Sequence, residues 1–145
     1  MRPSLLQPLP LRPVEVRRAA ALAILGAWTV VVPYLGHALG LGVNVPSRVE
    51  IVDHVVPGAL VAATGLYLTM LARRRSSAGT GSALFGGGVC FLAGFWVLAT
   101  HVPLLADAGR SKEPWDAALW HASTALPIVV ISLWCLLQPS PNQPT

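Results

Sequence analysis

Charge is what this sequence has least of. Asp, Glu, Lys and Arg make up 11% of its 145 residues, where a soluble domain carries about 25%. Hydrophobic residues reach 54% and the mean hydropathy is +0.61. Too few polar side chains are left to cover the surface of this chain in water, so its natural solvent is lipid. The length allows one domain and no separate soluble catalytic domain beside the apolar segments. Lysine is nearly missing: Lys112 stands alone against nine Arg, for a net charge of +4. Those basic residues flank apolar runs rather than forming a patch, which argues against nucleic acid as a partner. Cysteine occurs twice, at Cys90 and Cys135, inside apolar runs and without C-x-x-C spacing. Both read as small buried hydrophobes rather than a redox or metal pair. No Ser/His/Asp set and no Gly-rich phosphate loop is present. No carboxylate lies at mid-membrane depth, where a proton-coupled exporter of four helices would want one. The sequence therefore reads as non-enzymatic, with a small transporter ranked last among its alternatives.

Apolar runs are what the chain has in place of charge. Four are long enough to cross a bilayer, which takes about 20 mainly apolar residues; they cover about 19–40, 51–72, 83–105 and 115–137. Continuous runs without period-2 alternation argue against a β-barrel, and backbone groups in lipid must bond internally, so all four read as helices. The expected fold class is all-α, a polytopic membrane protein with four transmembrane helices. Residues 1–18 hold Pro3, Pro8, Pro10 and Pro13 with Arg2, Arg12, Arg17 and Arg18 and read as an irregular basic lead-in. It is longer than the basic start of a signal peptide, and no cleavage site follows. Residues 41–50, 73–82 and 106–114 have turn, basic or polar composition, and the proline-rich tail 138–145 reads as disordered. Seven Arg lie before the first run and between the second and third, against Arg48, Arg110 and Lys112 on the opposite side. Positive residues stay inside, which predicts both termini in the cytoplasm, and the bacterial inner membrane is the expected location. Five of the six carboxylates, Glu50, Asp53, Asp107, Glu113 and Asp116, fall on the outer side.

The two halves look alike. Gly26-Ala27-Trp28 matches Gly94-Phe95-Trp96 68 residues on, and His54 matches His121 67 residues on. Gly58 then pairs with Ala125, Gly65 with Ser132, and Leu66-Tyr67 with Leu133-Trp134. Two hairpins separated by an even number of crossings keep one orientation, so this is a parallel repeat. Over residues 20–137, and above all in LGAWTVVVPYLGHALG and VEIVDHVVPGALVAATGLYLTM, the chain resembles the SPW-repeat family of small bacterial membrane proteins. The Ser-Pro-Trp position of that family reads Val32-Pro33-Tyr34 here, and Thr100-His101-Val102 in the second repeat. The resemblance implies two repeated helical hairpins and no particular activity.

All four histidines fall on the outer side: His37 ends the first run, His54 opens the second, His101 nears the end of the third and His121 opens the fourth. Ionisable residues inside membrane helices are functional candidates. Imidazoles near carboxylates suit Zn, Cu or Fe, and histidines on different helices can hold a haem. The repeat singles out His54 with His121, followed by His101 and His37. Against this stands an interfacial role, since the four lack local ligand spacing such as H-x-x-x-H. Trp28 and Trp96, with Gly26 and Gly94, are expected to pack between helices, as are Gly58 and Gly65. Ala23-x-x-x-Ala27, Gly36-x-x-x-Gly40, Gly58-x-x-x-Ala62 and Ala59-x-x-x-Ala63 allow close backbone approach. Trp115 and Trp120 fit an outer aromatic belt, and Tyr67 and Trp134 an inner one. Pro33, Pro57, Pro103 and Pro127 each remove a helical hydrogen bond.

The first functional expectation is a structural, accessory or partner-binding membrane subunit. Its partners are the lipid bilayer and other membrane proteins or further copies of itself, with no cofactor. The alternative is a redox or metal protein that binds haem or a transition metal at the outer histidines.

Overall fold

The computed structural model describes residues 13–40, 48–73, 79–110 and 115–137; at Pro13, Gly79, Thr80, Asp116, Ala117 and His121 it describes the backbone and not the side chain. The expected connectors around 41–47, 74–78 and 111–114, most of the basic lead-in and the tail 138–145 lie outside these residues. Among the described residues there is no strand. Helix α1 is Pro13–Ala38, α2 is Arg48–Arg73, α3 is Gly79–Gly109, α4 is Trp115–Ala122 and α5 is Ala125–Leu137. Four stretches are long and apolar enough to cross a membrane: α1, α2, most of α3, and Ala118–Leu137 across α4 and α5.

Helix boundaries follow local chemistry. α1 begins at Pro13, inside the stretch that composition alone reads as irregular. Proline fits the first turn of a helix, where its missing N–H has no partner to lose, and Glu15 in that turn suits the positive end of the helix dipole. α1 ends where Gly40 takes a positive φ of 68° and donates its N–H to the His37 carbonyl at 3.1 Å, a glycine-closed terminus. The fourth traverse is not one helix over 115–137. It breaks at Ser123–Thr124, one turn ahead of Pro127, which has no N–H to offer the Ser123 carbonyl. α2 has a comparable irregularity: Ile51–Val55 form a π-helical turn, in which the Val56 N–H reaches back five residues to the Ile51 carbonyl. Pro57 comes two residues after its end.

Around the bundle the neighbours run α1, α2, α3, the α4–α5 pair, and back to α1. All four traverses feed one core, with Leu22, Val61, Cys90, Ala93 and Ile128 at its centre and Leu25 and Ile131 packed on it. α1 and α2 meet backbone to backbone. A Cβ placed on Gly26 would stand 2.7 Å from the Gly58 carbonyl oxygen, and one on Gly65 2.8 Å from that of Ala19. Only glycine permits that approach. The outward face is apolar: Ile24, Phe85, Leu92 and Leu137 are each more than two-thirds exposed, the pattern of a surface solvated by lipid. Three interior hydroxyls are spent on their own helices. Thr29 donates to the Leu25 carbonyl at 2.8 Å, Thr69 to that of Gly65 at 2.8 Å and Ser132 to that of Ile128, the back-bonding by which short polar side chains are accommodated in apolar surroundings.

Candidate functional site

The N-terminal end of α2 and the C-terminal part of α3 lie at the same end of the bundle, because consecutive helices run antiparallel. Two of the four histidines meet there. His54 is fully buried and His101 is 6% exposed. Their ring centres are 4.7 Å apart with an interplanar angle of 87°, edge to face. The helix dictates much of this arrangement. Glu50 and His54 are four residues apart, hence on one helical face, and Glu50 Oε2 stands 3.1 Å from His54 Nδ1. The π turn adds the rest. Its wider hydrogen bonds rotate His54 off the face that Gly58 presents to Gly26 and Val30 of α1 and turn it towards α3.

His101 is anchored by its own helix. Its Nδ1 is 2.7 Å from the Val97 carbonyl oxygen and 3.2 Å from Thr100 Oγ1, while the Thr100 hydroxyl donates to the same Val97 carbonyl at 3.1 Å. A carbonyl oxygen only accepts, so His101 Nδ1 carries the proton and Nε2 the lone pair. His101 therefore turns Nδ1–H to a carbonyl of its own helix, while His54 Nδ1 stands beside the Glu50 carboxylate as a close electrostatic neighbour.

Ring spacing decides what the pair can bracket. With metal–nitrogen bonds of about 2.0–2.1 Å, a ring centre sits about 3.2 Å from the ion, so two rings on one ion have centres roughly 4.5–5.2 Å apart for bond angles of about 90–110°, and roughly 6.4 Å apart when trans. The observed 4.7 Å matches neighbouring ligands on one ion. It does not match the trans axial pair that clasps a haem iron. Among the described residues no group of three His, Cys, Asp or Glu side chains is arranged to hold a metal.

The other candidates are spread more widely. His37 is on the exposed face at the end of α1. His121 lies on α4, which packs against α3; its side chain is outside the described residues, so the pairing with His54 that the repeat suggests is not on view. Gly26, Gly58 and Gly65 line the α1–α2 contact, and a Cβ on Gly94 would meet Ile128 of α5 at 2.7 Å. Trp28 is 40% exposed and Trp96 51%, so Trp96 faces outward more than a residue wedged between helices would. Trp28 does join two helices: its ring meets Trp120 edge on, with centres 6.0 Å apart and planes at 70°. Trp120 also donates Nε1–H to the Val32 carbonyl of α1 at 3.3 Å. It thus ties α4 to α1, where composition alone placed it in an interfacial belt. Trp134 takes the Arg18 guanidinium 4.6 Å above its ring, a cation–π contact between the start of α1 and the end of α5.

Glu50 is the site residue that the sequence reading passes over as one more outer carboxylate. Its signal is the Glu-x-x-x-His spacing. No family model matches the chain, and neither a curated protein nor a solved structure matches it.

Proposed function

We propose that this chain is a non-enzymatic integral membrane protein, an accessory subunit that holds a rigid four-helix surface against a partner in the bilayer. One observation carries the reading: the glycine-backed contact of α1 with α2, which locks the bundle while its outward face stays apolar and rich in large side chains. The interior hydroxyls of Thr29, Thr69 and Ser132 answer carbonyls of their own helices, as suits a scaffold rather than a polar path for a substrate. The protein sits in the bacterial inner membrane with both termini in the cytoplasm, on the strength of the Arg residues at one end of the bundle. It is built as two repeated hairpins of SPW type. In support, each second helix is interrupted next to its histidine, by the π turn around His54 and by the break two residues after His121.

Photo-crosslinking in native membranes tests the subunit reading. A benzophenone side chain at Leu92, Leu126 or Phe85, all exposed, is expected to give one discrete protein adduct from at least one face. Adducts with lipid alone from all three positions would remove the proposal. Cysteines introduced at Ser4 and Ser140 test the topology: both are expected to react with an impermeant maleimide in inverted vesicles and not in spheroplasts.

A further inference from the structure

We propose that Arg17 and Arg18 of α1, together with Trp134 of α5, bind the phosphate of an anionic phospholipid from the surrounding leaflet. This goes beyond the scaffold reading and does not rest on it. The three residues stand at the end of the bundle away from the histidines. Both arginines lie in the first two turns of α1, and Trp134 lies in the last turn of α5. The Arg18 guanidinium is 4.6 Å above the Trp134 ring. A guanidinium is flat, so stacking occupies its face and leaves the N–H groups of its edge open to an oxyanion. The ring thus holds the cation in place without using the donors that grip phosphate in pairs.

No ion pair takes those donors up. Among the described residues the ion pairs join His54 to Glu50 and Arg110 to Asp107, both at the opposite end of the bundle. Arg17 is exposed and Arg18 half-buried. Of the six carboxylates in the chain, only Glu15 falls at the arginine end, and it sits in the first turn of α1, where the helix dipole favours it. The charge of the two arginines is therefore balanced from outside the chain, and a bilayer supplies the counter-charge at headgroup depth. Apolar surface for the acyl chains begins at the same place. Ile24 shares the helical face of Arg17 two turns deeper and is 69% exposed. Val130 shares the face of Trp134 one turn deeper and is 51% exposed. An anion that carries acyl chains fits both the cations and this surface, whereas free phosphate fits the cations alone. A zwitterionic lipid brings an ammonium group that the arginines repel, so the site selects a headgroup with net negative charge.

Native mass spectrometry of the full-length chain in mild detergent, with phosphatidylglycerol and phosphatidylcholine in competition, is the test. The expected result is one phosphatidylglycerol per chain, retained in preference to phosphatidylcholine. Arg18→Gln should weaken it about tenfold or more, the worth of a hydrogen bond to a charged group. Trp134→Leu should weaken it about 2–5-fold through the lost cation–π contact. Arg73→Gln removes the same charge at the same end, but on α2, which flanks α1 on the side away from α5, and should leave binding unchanged. Near-ultraviolet circular dichroism checks the fold of each variant. If Arg18→Gln or Trp134→Leu loses its fold, fluorescence of the parent protein decides. Phosphatidylglycerol with brominated acyl chains should quench its tryptophans more than brominated phosphatidylcholine does, and the excess should disappear in the milder Trp134→Phe. Equal retention or equal quenching by the two lipids overturns the proposal. So does equal weakening by Arg18→Gln and Arg73→Gln, which would leave net charge as the whole effect. Displacement of the lipid by inorganic phosphate at equal concentration overturns it in favour of a free anion. Each of these results leaves the scaffold reading to its own crosslinking test.

Discussion

Replacing Gly26 by alanine should open the bundle along its tightest seam. The added Cβ would stand 2.7 Å from the Gly58 carbonyl oxygen and 2.8 Å from the Ala62 Cα. Comfortable carbon contacts need about 3.5–4.0 Å, so α1 and α2 must part by about 1 Å. The obstacle is main chain, which cannot rotate aside as a side chain would. Overpacking of this kind costs about 1–3 kcal/mol, and a backbone obstacle belongs at the upper end. Against that, alanine in place of glycine favours the helix by about 1 kcal/mol, leaving a net loss of about 2 kcal/mol. Gly88, in the middle of α3, is the matched control. A Cβ there meets nothing within 4 Å, so Gly88→Ala should show only the helical gain of about 1 kcal/mol. One chemical change thus has opposite signs at two sites, about 3 kcal/mol apart. Unfolding in a titration from mild detergent into dodecyl sulfate, followed by tryptophan fluorescence, reads the difference directly. Two variants within about 0.5 kcal/mol of each other, an ordinary surface effect, would refute the backbone-contact argument.

Trp120→Phe removes the hydrogen bond to the Val32 carbonyl and keeps most of the ring. Since side-chain bonds between membrane helices average about 0.6 kcal/mol, a loss of that order is expected in the same unfolding assay, with a changed near-ultraviolet dichroism from Trp28. Ser132→Ala, by contrast, deletes a hydroxyl whose acceptor lies in its own helix and should shift stability by less than about 0.5 kcal/mol, since such back-bonding slightly destabilises a helix. The thiols should also separate: Cys90 is buried and Cys135 partly exposed, so a small maleimide in detergent should label Cys135 first and Cys90 only on unfolding. Comparable labelling rates would contradict the placement of Cys90 in the core.

The helices were legible because spanning a bilayer demands long apolar runs, and such runs are read directly from composition. Their ends were legible only in part. Composition makes Pro13 a breaker, although at the first turn of a helix proline breaks nothing. Pro127 lacks one hydrogen bond, and the break at Ser123–Thr124 is its consequence one turn upstream. The histidine site shows where a one-dimensional reading stops. The repeat related His54 to His121, because a repeat reports equivalent positions rather than contacts. What brings His54 to His101 is the side-by-side packing of α2 and α3 together with a local unwinding of α2, and neither is encoded in residue spacing. Glu50 was within reach, since an i,i+4 carboxylate–histidine pair is visible in any helical reading of residues 50–54.

The unequal lengths of the traverses tie the protein to its solvent. The stretch Gly81–Gly109 has 29 residues and the fourth traverse, Ala118–Leu137, has 20. At 1.5 Å per residue these are about 43 Å and about 30 Å long, beside a hydrocarbon layer of about 30 Å. No single bilayer thickness suits both. The long helix must tilt or project, and because it packs against its neighbours, its tilt is shared by the bundle. Hydrophobic mismatch then falls on the end away from the histidines, where Gly87 already lies level with Leu136 and the long helix runs on past the fourth traverse, and acyl-chain length becomes a quantity to which the geometry of that end responds.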